Sequence, residues 1–199
     1  MNTKLKILFI LIACFLLFSG CRILLGVKQL RKLSDAEIIN YASKLDLDST
    51  NLFVAQDDYK RFLNNIDSTK NDMRKVHMQP LQVLYFDSAG KLFSYHINCS
   101  AHGLIKLDWN WNSSFDTFPP GTTDPPDTIF SYDKLISLLR PIGRNSESMK
   151  VGKIKVVVFW AHFLNRYSKQ LLKQVHENLQ KGDQNETVIY VNSDNLFEE

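Results

Sequence analysis

The chain has 199 residues, 44% of them apolar and 23% charged, enough for one globular domain with a substantial core. Its formal net charge is +3; Lys4 and Lys6 are the only charges in residues 1–20, so the remainder carries +1, which excludes the basic footprint of a nucleic-acid binder. With only Cys14, Cys21 and Cys99, the chain is not a disulfide scaffold.

Lys4 and Lys6 give a basic start, Ile7 to Phe18 is an unbroken apolar run, and Phe18-Ser19-Gly20-Cys21 closes it with small residues before a cysteine. Basic end, apolar core and small-residue cut site are the layout of a secretory signal. A membrane-spanning helix needs about 20 apolar residues, and this run is shorter. The cysteine at the cut makes the segment resemble a bacterial lipoprotein signal, although Phe18 stands where that family usually has Leu and Leu17 lies one position earlier. The resemblance implies cleavage before Cys21, a diacylglyceride on its thiol, and a second acyl group, such as palmitate, on its new amine. Several acyl chains hold a membrane firmly where one holds it weakly. Relatives retained in the inner membrane tend to carry Asp after the cysteine; Arg22 stands here, and Arg22-Ile23-Leu24-Leu25 lacks an acidic surface-export stretch. The expected location is the cell envelope, lipid-anchored in the outer membrane and facing the periplasm. Residues 1–20 then form the signal peptide, 21–33 a lipidated tether with Arg22, Lys28, Arg31 and Lys32, and 34–199 a single α/β domain. If Cys21 carries lipid, Cys99 is left without an internal disulfide partner.

Along that domain, Ser34 reads as an N-cap with Glu37 completing a capping box, and Ile38, Ile39, Ala42 and Leu45 make a helical stripe. Asn51 to Ala55 reads as a short strand. Asp57 or Asp58 opens a helix carrying Tyr59, Phe62, Leu63 and Ile66, and residues 67–76 read as a loop or helix end. Leu81–Phe86 and Lys91–Ile97, separated by Asp87-Ser88-Ala89-Gly90, predict a hairpin. Weak alternation over 104–111 suggests a third strand. Residues 112–128, with Pro119, Pro120, Gly121, Pro125 and Pro126, read as a stiff loop. Tyr132 to Leu139 reads as a helix ended by Pro141 and Gly143. Lys153 to Trp160 is an apolar run of the kind buried on both faces of a parallel sheet. A helix over Asn165–Lys181, with Tyr167, Leu171, Leu172, Val175 and Leu179 on one face, and a strand over Thr187–Asn192 complete a βαβ unit.

Val156-Val157-Val158-Phe159-Trp160-Ala161 resembles the strand leading into the active site of the thioredoxin family. The two cysteines that family members carry at the start of the next helix fall on Leu164 and Tyr167, so no attacking thiolate exists there. Gln79 to Leu92 resembles the family's later hairpin, which a cis-proline, here Pro80, precedes; in this chain the hairpin comes before the apolar strand. The resemblance implies a thioredoxin-like mixed sheet with flanking helices and a permuted strand order. It implies a binding or scaffold role without redox catalysis, catalytic residue or cofactor, and with an envelope protein as partner.

Other residues offer chemistry. His96, Cys99 and His102 form H-x2-C-x2-H, a donor set suited to Zn or Cu, with His77 the nearest fourth ligand. They define the alternative of a metal-handling or thiol-dependent protein, although Cys99 has no evident base and ordinary histidines are far commoner than ligands. Asp48-Ser49-Thr50, Asp67-Ser68-Thr69, Asp87-Ser88-Ala89 and Asp127-Thr128-Ile129 resemble a short O-glycosylation signal of some bacterial envelope proteins; each serves equally as a turn or cap. Trp109 and Trp111 would share one face of a strand, with Phe115 and Phe118 close behind, as core packing or as a partner or glycan surface.

Overall fold

The computed structural model describes residues 26–103, 106–142, 152–183 and 185–198. Cys21 and the signal-like segment lie outside these residues. No helix among the described residues is long and apolar enough to cross a membrane.

Ser34 opens α1 (Asp35–Lys44) through the expected capping box: Ser34 Oγ accepts the Glu37 N–H and Glu37 Oε2 accepts the Ser34 N–H. The short strand β1 (Leu52–Ala55) follows, then α2 (Asp57–Asn64), whose first turn holds Asp57 and Asp58 where the helix dipole favours negative charge. The stretch expected as loop or helix end instead forms a 3₁₀ turn (Ser68–Lys70) and a helix, α3 (Asn71–His77). The hairpin is present as β2 (Gln82–Phe86) and β3 (Leu92–Ile97). Asp87 closes its turn by accepting the Gly90 N–H on its carbonyl and the Lys91 N–H on its carboxylate. Gly90 has φ of 79°, a conformation that a side chain disfavours.

Two expectations fail around the hairpin and the loop that follows it. Residues 106–111, the described part of the suggested third strand, form turns with one isolated bridge, His102 to Asp108. Trp109 and Trp111 therefore do not share a face: Trp109 is buried beside Phe115, whereas Trp111 is 45% exposed. Also, the cis peptide bond among the described residues is Phe118–Pro119 and not Gln79–Pro80. The proline-rich segment is a loop, as expected, with one 3₁₀ turn (Ser114–Asp116). It covers part of the β3 edge: the Thr123 and Asp124 N–H groups donate to Tyr95 O, and Tyr95 N–H donates to Thr122 Oγ1.

The helix after the loop is shorter than expected, α4 (Tyr132–Ser137), because Leu139–Pro141 leaves it to form β4, a strand that the sequence reading missed. The βαβ unit consists of β5 (Ile154–Trp160), α5 (Asn165–Leu179) and β6 (Glu186–Asn192). The strands form one mixed sheet in the order β3-β2-β5-β6-β1-β4. Strands β5, β6 and β1 are parallel, the hairpin lies antiparallel along β5, and β4 lies antiparallel along β1. The fold is thus α/β, with a mixed sheet and flanking helices.

Alternation along the strands divides the core. Val157 and Phe159 of β5, with Leu84, Phe86, Ile189 and Val191, face Tyr59 and Leu63 of α2 and Leu135 of α4. Val156 and Val158, with Val83 and Tyr85, face Leu171, Leu172 and Val175 of α5 and the loop residues Trp109 and Phe115. Ile38 and Ala42 of α1 cover Leu52, Val54 and Trp160.

Val157 is fully buried between Leu84 and Ile189 on the neighbouring strands. Val157→Ala should cost about 1–3 kcal/mol in a urea melt. Val157→Asp should abolish the cooperative transition, because it buries a charge without a partner.

Candidate functional site

The junction between β5 and α5 is the place to which the thioredoxin resemblance read from the sequence directs attention. Trp160 ends β5 fully buried, and Ala161-His162-Phe163-Leu164 turns the chain into α5. Side chains from elsewhere hold this turn in place. The Asp194 carboxylate, 1% exposed after β6, accepts the His162 N–H at 2.6 Å, the Phe163 N–H at 3.0 Å and the Asn192 side-chain N–H at 2.7 Å. Burial pushes the Asp194 carboxyl above its ordinary pKa, against the downward pull of these donors. Ser168 Oγ accepts the Ala161 N–H and donates to Ala161 O, and Ser193 N–H donates to Trp160 O.

The N-terminal segment covers the outside of the turn. Lys28 N–H donates to Phe163 O at 2.8 Å, and Lys28 Nζ donates to His162 Nε2 at 2.8 Å. An ammonium can only donate, so Nε2 accepts and the neutral ring carries its proton on Nδ1. The Tyr41 ring stacks on this imidazole with centroids 3.7 Å apart. Burial first, then the charges of Lys28 and Arg31, hold the His162 pKa down at about 4. Leu164 is half-buried at the helix cap, and Tyr167 is buried against the sheet. The junction therefore presents neither a thiol nor a protonated imidazole at neutral pH.

Beside the junction, a cleft of about 390 Å³ opens between the end of α1 and the outer face of α5. Leu45, Leu47, Leu172 and Tyr190 give it apolar lining, and Lys44, Asp46, Lys169, Lys173 and His176 contribute polar groups. Lys173 is paired with Glu177 at 3.6 Å. Burial raises the Tyr190 pKa, as do the charges of Asp48 and Asp46, so its phenol stays protonated at neutral pH.

The structure does not bring His96, Cys99 and His102 together. His96 points inward from β3 and is 1% exposed; its ring nitrogens face Ser94 Oγ at 3.1 Å and Thr123 Oγ1 at 2.9 Å, and burial lowers its pKa to about 4. Cys99 is exposed in the following turn with Sγ on Gln79 Oε1, and His102 stacks on Trp111 with centroids 3.9 Å apart. Among the described residues, no group of three His, Cys, Asp or Glu side chains is placed to hold a metal. The alternative of a converging ligand set finds no support among the described residues: the strand turns His96 into the core while the turn after it carries Cys99 outward.

His77, the proposed fourth ligand, instead joins a buried relay that the sequence did not reveal. Its Nε2 meets Asp127 Oδ2 at 2.8 Å and its Nδ1 meets the Tyr95 hydroxyl at 2.9 Å. The Tyr95 hydroxyl donates to Gln82 Oε1 at 2.6 Å, and Tyr59 and Gln82 both donate to His77 O. Asp127 lies 50 positions from His77, so no local pattern marks the pair. The other Asp-Ser/Thr motifs also act in turns: Asp48, Asp67 and Asp127 each accept the N–H two residues on, and Asp87 accepts that of Lys91.

No family model matches the chain, and neither a curated protein nor a solved structure does.

The relay gives a pH prediction. Burial pushes the Asp127 carboxyl up, but the His77 hydrogen bond and charge, with the Ile129 N–H, outweigh it and leave the pKa below the ordinary value. Stability from a depressed carboxyl is full above the unfolded-state pKa and is lost as pH falls through the folded-state pKa. Asp127→Asn should lower stability at neutral pH by about 2 kcal/mol and flatten the acid limb of a stability–pH profile measured by urea melts.

Proposed function

We propose that the chain is an envelope lipoprotein, anchored through Cys21, whose permuted thioredoxin-like domain binds a partner and performs no thiol chemistry. One observation carries the second half of this reading: at the β5–α5 junction, Leu164 and Tyr167 stand where the resemblance would put the family's cysteines, and the buried Asp194 and Ser168 side chains there bond the backbone of the turn. The sheet supports the resemblance. The hairpin that the family carries after the active-site strand precedes it here, yet β2 still runs antiparallel along β5 from Gln82 opposite Phe159 to Phe86 opposite Lys155. The anchor rests on the order of basic residues, apolar run, small residues and Cys21. The cleft between α1 and α5 offers a concave surface to an envelope protein partner, and its mixed lining suits a polar side chain with an apolar stem.

Two measurements test the reading. The purified chain should leave insulin disulfides intact in the presence of a thiol reductant, and turnover at a thioredoxin-like rate would overturn the non-redox assignment. Cys21→Ser should lose palmitate labelling and leave an uncleaved or soluble form, and unchanged labelling with normal membrane fractionation would overturn the anchor.

A further inference from the structure

The described chain begins on the β5–α5 junction. A Cβ built on Gly26 would stand 3.1 Å from Arg166 Cβ, and two residues later Lys28 N–H is bonded to Phe163 O. Gly26 is five positions from Cys21. Even a fully extended chain spans about 17 Å over that distance. A lipid on Cys21 therefore keeps this end of the sheet close to the bilayer.

We propose that this end docks on anionic phospholipid headgroups, with the start of α5 and the segment from Gly26 to Lys32 facing the membrane. The inference rests on the anchor reading above. The exposed side chains around the exit point fit such a surface. Lys28, Arg31, Lys32, Arg166 and Lys169 are all exposed. Leu30, 38% exposed, sits among them and is one of three exposed large apolar side chains among the described residues. Basic residues flanking an exposed apolar side chain are what a headgroup layer binds, by charge attraction and shallow apolar insertion. The nearby acids are few, and Asp46, which lines the cleft with Lys169, is one of them. Glu37 is paired with Arg31, Asp194 is buried and bonded to backbone N–H groups, and Glu198 follows Phe197, whose ring packs on Phe163. The charges here also reach one buried group: Lys28, Arg31 and Lys44 depress the His162 pKa, and Glu37 raises it. The far end of the sheet supplies the control. Lys153 precedes β5 and Lys91 lies at the hairpin turn, where β2 ends opposite the start of β5, and both are exposed.

The experiment uses the full acylated chain in vesicles of phosphatidylcholine alone or with phosphatidylglycerol, and reads lysine amine labelling by mass spectrometry. Lys32 and Lys169 should label several-fold more slowly in the phosphatidylglycerol vesicles, Lys91 and Lys153 should be unchanged, and high salt should remove the difference. Equal labelling of Lys32 and Lys169 in the two vesicle types would overturn the proposal, as would slowing shared equally by Lys91 and Lys153. In a Lys32→Glu, Arg166→Glu variant with an unchanged urea midpoint, protection of Lys169 should disappear; its persistence would also overturn the proposal. The same digest reports acyl mass on the Cys21 peptide. Absence of that mass refutes the anchor, whereas its presence with unprotected Lys32 and Lys169 refutes docking alone.

Discussion

Strand β5 must be covered on both faces, and the rest of the architecture meets that requirement. Its residues from Val156 to Trp160 are fully buried, so the strand has no solvent-facing side. It has sheet neighbours along both edges, β2 on one and β6 on the other. One face needs α2 and α4, the other needs α5 and the loop that carries Trp109 and Phe115, and the end of the strand needs α1 over Trp160. A strand buried in this way makes every layer depend on every other, which is why the loop after β3 is part of the core even though it has little regular structure. Asn178 of α5 fastens that loop by donating to Phe115 O and Thr117 O.

The polar groups follow the same logic. A carboxylate inside such a core is costly unless donors surround it. Asp194 meets the condition with backbone and amide N–H groups, and Asp127 meets it with the His77 imidazole and the Ile129 N–H. Their carboxyl pKa values move in opposite directions because neutral dipoles offset only part of the burial at Asp194, whereas an imidazole able to carry charge lies against Asp127. Each buried acid joins segments that are distant in sequence: Asp194 ties the end of β6 to the turn before α5, and Asp127 ties the proline-rich loop to the end of α3.

The elements legible in the sequence are those whose signal is local. The capping box at Ser34, the turn at Asp87 to Gly90 and the apolar run from Ile154 to Trp160 each contain within a few residues the interactions that define them. β4 was not legible because three residues ending in proline, directly after a helix, carry no alternation; the strand exists because Val54 and Phe53 need a partner on the sheet edge. The suggested strand over 104–111 shows the converse, since alternating side chains also arise in a loop that buries Trp109 and exposes Trp111. Spacing misled at His96, Cys99 and His102 because three residues in sequence take the chain from an inward-facing strand position to an exposed turn. The junction was found from the sequence, through the run into Trp160, but its support was not: Lys28, Tyr41 and Asp194 reach it from separate parts of the chain.

A hairpin that precedes β5 in the chain and a covered junction after it are physically compatible. An antiparallel hairpin needs only its own turn to form, so it can dock along β5 whether it comes before or after that strand in the chain. The parallel pair β5–β6 has no such freedom, since α5 must cross between the strands, and this fixes the turn from Trp160 to Leu164 at the end of the sheet. A turn held there by connectivity is a rigid mount for whatever side chains it carries. Leu164 and Tyr167 face apolar neighbours, and His162 beside them is buried, stacked under Tyr41 and bonded to Lys28. The junction is thereby a seat for the segment that begins at Gly26. Because Lys28 is hydrogen-bonded to the turn through both its backbone and its side chain, the segment that leads into α1 is fixed to this end of the sheet.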